Sequence, residues 1–392
     1  MTSASAAGAT DITDDEIREA VRGLTAKFPA EYWRDLEKRG EYPTDFIRAL
    51  TESGFGGMMI PAEYGGLGMG VHQASVFVEE LNRQGCNGNA IHAQMFASHV
   101  IRQSGTEAQR EEFLRPIAAG ELKLQAFSIT EPNVGTDTTR VATRAVRDGD
   151  VYRISGQKVF TSRAAQTDLM MLLARTTPID QVEKPAHGLS IFVCDIRDAI
   201  GKSITMQPID LMYNHHTYEV FFDDFEVPAS ALLGEEGKGF RYILGGLNAE
   251  RILVAAECVG DGRFFVDKAV NYANERVVFG RPIGQNQGVQ FPLARAHIEV
   301  EAADLMRWKA VELFDAGEPC GAEANMAKLL ASEAAWNAAN AALQTHGGYG
   351  VTREYDIERK FRETRVQQVA PVSTNMVLNY VGSHVLGMPR SY

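Results

Sequence analysis

The sequence predicts an α+β protein with three parts in series: a helical N-terminal domain over 1–121, a β domain over 122–232 and a C-terminal helical domain over 233–392. Two observations predict this order. Apolar residues recur at three- and four-residue spacing at both ends of the chain, and between them lie short β-branched and aromatic runs separated by turn residues. A third is length. The chain has 392 residues, 45% of them hydrophobic and 23% charged, which is enough apolar material for more than one core.

Taken in order, Thr13-Asp14-Asp15-Glu16 is a capping box that opens a helix carrying Ile17, Val21 and Leu24. Helical patterns follow at 44–53, 71–84, 89–104 and 107–118, interrupted by the Gly-rich turn from Pro61 to Gly68. Strands are predicted at 122–129, 151–154, 158–160, 169–174, 189–193 and 218–222, with Asp148-Gly149-Asp150 as one of the turns. The β region closes near Val227-Pro228. Beyond Gly237, helices are predicted over 240–278, 288–316, 322–344 and 375–386.

Charge and cysteines narrow the function. There are 39 Lys and Arg against 51 Asp and Glu, and the net charge of −12 argues against nucleic acid or anionic membrane as the main partner. Cys86, Cys194, Cys258 and Cys320 are scattered without a CxxC pair, the pattern of buried reduced thiols in a cytoplasmic protein. The N-terminus lacks the apolar core of a secretory signal and the early basic residues of a presequence, and no apolar run reaches membrane length. No metal site is expected. His215 and His216 precede a predicted strand, and neighbours on a strand face opposite ways. His92 and Gln94 could line a pocket or simply pack.

Chemistry concentrates in four segments. In the first, a predicted strand runs through Phe127 and Ile129 into Thr130-Glu131-Pro132-Asn133-Val134-Gly135-Thr136-Asp137. This turn could aim N–H groups and hydroxyls at a heterocycle and a phosphate, or be a polar hairpin turn. The second is Gly156-Gln157-Lys158-Val159-Phe160-Thr161-Ser162. The third runs from Arg276 through Phe279-Gly280 to Gln287, and the fourth is Gln344-Thr345-His346-Gly347-Gly348-Tyr349-Gly350. Together the four resemble the flavin-binding motifs of the acyl-CoA dehydrogenase family, in the family's order and across nearly the whole chain.

The resemblance implies a middle β-barrel or sandwich domain, a C-terminal four-helix bundle and bound FAD. It places Phe127, Ile129, Thr130, Gly135 and Thr136 at the cofactor, with Thr136 also near the thioester. Phe160 takes the place of an aromatic residue covering the flavin ring, and Ser162 that of a hydroxyl at flavin N5. Arg276, Phe279, Gln287, Gln344, Gly347 and Gly348 match elements that reach the FAD of a neighbouring subunit, which implies a dimer or, commonly, a homotetramer. Ser373 and Asn375 complete the cofactor set; Asn248, Arg251 and Val372 join Thr136 at the acyl-CoA. Electrons would pass to an electron-transferring flavoprotein.

The reaction needs a base for the α-proton. Where many members carry a Glu before the last helix, this chain has Pro371, and Glu363 lies too far back to replace it. Proline also lacks the N–H that helps polarise the thioester carbonyl in the family. Isovaleryl- and long-chain-type members carry the base on a long helix, and Glu250 matches that position, three and four residues before Leu253 and Val254. On residue pattern alone, Glu250 reads as an exposed carboxylate near a helix start. The expected activity is dehydrogenation of an acyl-CoA to the trans-2-enoyl-CoA. An oxidase or monooxygenase on the same fold, or a non-catalytic acyl-CoA- or flavin-binding protein, is the alternative.

Overall fold

Several helices in the computed structural model, which describes residues 12–390, start or stop where the sequence supplies caps. The Thr13 hydroxyl accepts from Glu16 N at 3.3 Å and the Glu16 carboxylate accepts from Thr13 N at 2.7 Å, closing the predicted box on Asp14–Thr25. Thr106 and Gln109 form a second box on Glu107–Ala118. Gly40, at φ 62°, ends Ala30–Arg39, a helix the pattern did not single out.

Two units interleave along the chain. One gathers Tyr42–Met69 and Ala90–Leu247; the other gathers 12–41, 70–89 and 248–390. The order of structure along the chain is helical, then β, then helical.

The first unit contains a seven-stranded sheet built from β1 (Leu124–Ser128), β2 (Arg144–Asp148), β3 (Val151–Ser162), β4 (Leu169–Arg175), β5 (Leu189–Asp195), β6 (Ile204–Ile209) and β7 (Thr217–Pro228). Its order is β1-β4-β2-β3-β7-β6, with β5 branching from β4. Tyr152, Ile154, Met170, Leu172, Phe192, Val220 and Phe222 share one buried cluster. The runs expected at 151–154 and 158–160 are one strand, β3. Gly156 sits inside it, where a Cβ would lie 2.6 Å from Thr143 Oγ1, so this glycine marks a close backbone approach and not a turn. Strands β2 and β6 were not foreseen. In β2 only Ala145 is buried among charged residues, and β6 carries Pro208 on the edge of the sheet.

In the second unit, the helix Gly239–Glu275 contributes residues from 248 onward, beside Gln287–Asp315, Gly321–His346, Ile357–Arg365 and Thr374–Tyr380. Gly321–His346 buries a stripe of alanines from Ala324 to Ala342. Charges are buried here too, in closed sets. Arg263 reaches Glu79 at 2.8 Å and Asp304 at 2.8 Å; Lys360 reaches Asp261 at 2.6 Å and Glu363 at 3.0 Å. Ile357–Arg365 escaped the apolar pattern because its buried face includes Arg359, Lys360 and Glu363. The helix expected over 240–278 stops at Glu275, because Val277–Val278 pairs with Arg281–Pro282 in a hairpin. Phe279 and Gly280 form its turn with φ of 53° and 78°. The last helix ends at Tyr380, short of 386, and gives way to a π turn, Val381–Val385.

Candidate active site

In the first unit the candidate residues sit on β1, in the segment that follows it and on β3. Val159 N donates to Thr130 O at 2.9 Å, stitching the first two motifs together. Beneath them lies an ion pair that the sequence did not disclose. Lys158 is fully buried and donates to Glu131 Oε1 at 3.0 Å and to Ile129 O at 2.8 Å. Glu131 also accepts from Ala142 N and Thr143 N, both at 2.8 Å. Burial pushes the Lys158 ammonium down to about 8, against the pull of Glu131. Burial works against the Glu131 carboxylate, yet Lys158 and the two amides hold it below its usual range. The signal was a lysine at a position of the strand in register with the buried Tyr152 and Ile154.

Phe160 is the anomaly of the strand. The β3–β7 register slips between Lys158 and Thr161, and there Phe160 adopts φ 58° with 59% of its surface exposed. A large apolar ring in the left-handed region, presented to solvent, is an outlier of the kind that clusters at binding sites. Ser162 is half-buried, its hydroxyl 3.5 Å from that of Thr217. Thr161 turns inward to Ser128 at 2.9 Å. Phe127, Ile129 and Thr130 are half-buried, and Gly135 and Thr136 are exposed.

Other first-unit candidates resolve differently. Gln94 is spent on backbone, donating to Gly56 O at 2.8 Å and accepting from Leu124 N at 3.3 Å, so its role is packing. His92 is buried 5.9 Å from the Phe96 ring, which meets Phe127 at 5.2 Å. His215 and His216 lie before β7, not on it; His216 is at φ 53°. Burial, then Arg163, His92 and His216, drive the His215 imidazole well below its usual range.

In the second unit, Glu250 is 7% exposed and lies eleven residues into its helix, which removes the reading of an exposed carboxylate at a helix start. Leu253 and Val254 beside it are buried. Arg251 is buried and donates to Asn248 Oδ1 at 2.8 Å; burial lowers its guanidinium, with Glu250 opposing. Lys328, fully buried and unforeseen, donates to Val372 O at 2.6 Å. Ser373 caps the last helix, accepting from Met376 N at 3.4 Å, and Asn375 is exposed. Glu363 is tied to Arg359 at 2.8 Å and Lys360 at 3.0 Å, a structural carboxylate.

The third and fourth motifs meet. Arg276, Gly347 and Gly348 line one cavity of about 450 Å³ together with Tyr272, His346 and Tyr349. The Arg276 guanidinium lies 5.8 Å from the centre of the Tyr349 ring, and Tyr272 stacks on His346 at 4.3 Å. Burial lowers the His346 imidazole, whose Nδ1 is 2.8 Å from Ala342 O. Nothing lies within 4 Å of where a Cβ at Gly347 or Gly348 would sit, so both glycines face open space. An exposed cation beside bare backbone and aromatic faces fits a dinucleotide diphosphate. Phe279 stands fully exposed at its hairpin tip; Gln287 and Gln344 are exposed and do not line the cavity. Phe160 and this cavity are therefore both surfaces that suit a flavin dinucleotide. Among the described residues, no helix is long and apolar enough to cross a membrane.

Family models for the N-terminal, middle and C-terminal domains of acyl-CoA dehydrogenase match residues 12–121, 126–225 and 237–386. Acyl-CoA dehydrogenase FadE12 of Mycobacterium tuberculosis is 38% identical over 382 residues, 96% of each chain. Butyryl-CoA dehydrogenase from Megasphaera elsdenii has a TM-score of 0.89 at 30% identity, covering 96% of this chain and 99% of its own. A chain solved in work on the electron transferring flavoprotein of Acidaminococcus fermentans has a TM-score of 0.89 at 32% identity, with 96% and 99% covered.

Proposed function

The chain belongs to the acyl-CoA dehydrogenase family, an FAD-dependent oxidoreductase, and from that premise we propose that it converts a saturated acyl-CoA to the trans-2-enoyl-CoA with Glu250 as the base. The burial of Glu250, on a helix face shared with Leu253 and Val254 and beside Arg251, carries the reading. A carboxylate drawn out of water accepts a proton more readily than one in solvent.

When bound, FAD supplies the acceptor for the hydride that leaves the substrate β-carbon. The α C–H bond breaks as an O–H bond forms on Glu250, and the freed pair becomes the Cα–Cβ double bond. In this proposal Phe160 covers the ring, Ser162 and Thr130 hold its polar edge, and Phe127, Ile129, Gly135 and Thr136 frame it. Arg276, with Gly347 and Gly348, takes the diphosphate of a neighbouring subunit's FAD, aided by Phe279, Gln287 and Gln344; Ser373 and Asn375 complete the cofactor set. Asn248, Arg251, Val372 and Thr136 hold the thioester. The enzyme works as a cytoplasmic homo-oligomer and passes electrons to an electron-transferring flavoprotein. The match to a chain from work on such a flavoprotein supports that partner.

Anaerobic titration with acyl-CoAs of varied length and branching tests the reading. Bleaching of the flavin band is expected in the wild type and a loss of about 10²–10⁴-fold in its rate in Glu250→Gln, with FAD retained. A variant that bleaches at the wild-type rate would send the base elsewhere.

A further inference from the structure

We infer that the outer face of the helix Gln287–Asp315 is a self-recognition surface, which pairs antiparallel with the same helix of a second copy of this chain about a two-fold axis at Ile298. The inference gives a surface to the proposed homo-oligomer and rests on that oligomer; the chemistry at Glu250 does not enter it.

The helix has two faces. Leu293, Ala296, Val300, Ala303 and Ala310 are buried and make the inner one. On the outer face Phe291, Ile298 and Leu305 are 61%, 66% and 74% exposed. They stand seven residues apart, and each step of seven turns an α-helix only about 20° away from a full repeat. Single apolar side chains on a surface need no explanation. Three in line at heptad spacing make the seam of a helix pair.

The seam reads alike from either end. Arg295 stands three residues before Ile298 and Glu301 three after; Ala294 and Ala302 stand four away, Phe291 and Leu305 seven. An antiparallel copy brings residues at equal distances on opposite sides face to face. Ile298 then meets itself, the alanines let the backbones approach, and Arg295 meets Glu301 of the second copy, twice by symmetry. Both charges are available. Arg295 is exposed with no ion pair among the described residues. Glu301 gives Oε1 to Arg263 at 3.0 Å and keeps its side chain half-exposed. A parallel copy would set Arg295 against Arg295 and Glu301 against Glu301, so charge selects the antiparallel register.

The ends of the seam match in shape. Leu305 borders a cavity of about 500 Å³ that His72, Trp308 and Val311 also line. The antiparallel register brings the exposed Phe291 ring of one copy to Leu305 of the other, at the mouth of that cavity. The His72 and Trp308 rings, 4.7 Å apart, give an incoming aromatic side chain faces to pack on.

The test uses the FAD-loaded protein. Ile298→Cys puts a thiol on the axis, and helices packed about 8–10 Å apart bring facing Cα atoms within disulfide reach. Mild oxidation should convert most of this variant to a covalent dimer, and none of the wild type, whose four cysteines are buried. Ala294→Cys alone should stay uncross-linked, because the antiparallel register sets it about 12 Å along the helix from its counterpart. Co-expressed with Ala302→Cys, it should cross-link. Ile298→Asp sets two carboxylates together on the axis and should raise the dissociation constant at least about thirtyfold, halving the sedimenting mass. Because Ile298 is exposed, the helical circular dichroism of that variant should match the wild type. A wild type that sediments as a monomer overturns the oligomer itself. An oligomer in which Ile298→Cys stays uncross-linked, or Ile298→Asp keeps its mass, overturns this face and leaves the oligomer standing. Cross-linking of Ala294→Cys to itself overturns the antiparallel register.

Discussion

Phe160 combines two costs that a residue chosen for folding alone would avoid: a left-handed backbone and an exposed aromatic ring. Replacing it by glycine should stabilise the apoprotein by about 1 kcal/mol, since glycine adopts φ > 0 without a steric penalty. The same change should weaken FAD retention. Urea melts of apoprotein and flavin release on dialysis read the two effects, and a variant that loses apoprotein stability would show that the ring packs after all. Lys158→Met is the opposite case. It strands Glu131 in the interior and should cost about 3–5 kcal/mol, measured by the same melts. The motif that holds Phe160 and Ser162 could be picked out in the sequence because residue types in a short segment carry the family resemblance. The pairing of Lys158 with Glu131 could not, because it depends on how the segment after β1 lies against β3, which spacing along the chain does not encode.

Elements were legible where one face was apolar and the ends were capped. Thr13, Thr106 and the apolar stripes sufficed for the amphipathic N-terminal helices. They failed for Ile357–Arg365, whose inward side chains are Arg359, Lys360 and Glu363, and for β2, which buries little. The hairpin after Glu275 shows a third limit. Its turn needs two left-handed residues, and Asn-Gly is the usual choice, but this chain places Phe279 there, fully exposed. Phe279→Asn should therefore raise the urea midpoint of the apoprotein slightly while lowering FAD affinity. A Phe279→Asn protein that binds FAD as tightly as wild type would remove Phe279 from the cofactor set and leave the turn unexplained.

At the scale of the whole molecule, buried charge sets the response to pH, and the proposed assembly would set the response to dilution. Burial raises the Asp261 carboxyl to about 6, with Lys360 opposing. Its folded-state value lies above the roughly 3.9 of an unfolded Asp, so its contribution to stability is complete at low pH and is lost as pH rises through about 6. Asp261→Asn should flatten that part of the curve, read as urea midpoints between pH 4.5 and 7. Dilution tests the proposed sharing of FAD between subunits. The cavity at Arg276, Gly347 and Gly348 is open, and the protein carries a net charge of −12, so a dianionic diphosphate needs the local cation. If that diphosphate belongs to a partner's FAD, cofactor binding and association are one linked equilibrium, and each strengthens the other. Flavin should then be lost as the oligomer dissociates, and Arg276→Glu should lower both together. Sedimentation with detection at the flavin band decides it: a monomer that keeps a full complement of FAD, in the wild type or in Arg276→Glu, would confine the cofactor to one chain and return Arg276 to the surface.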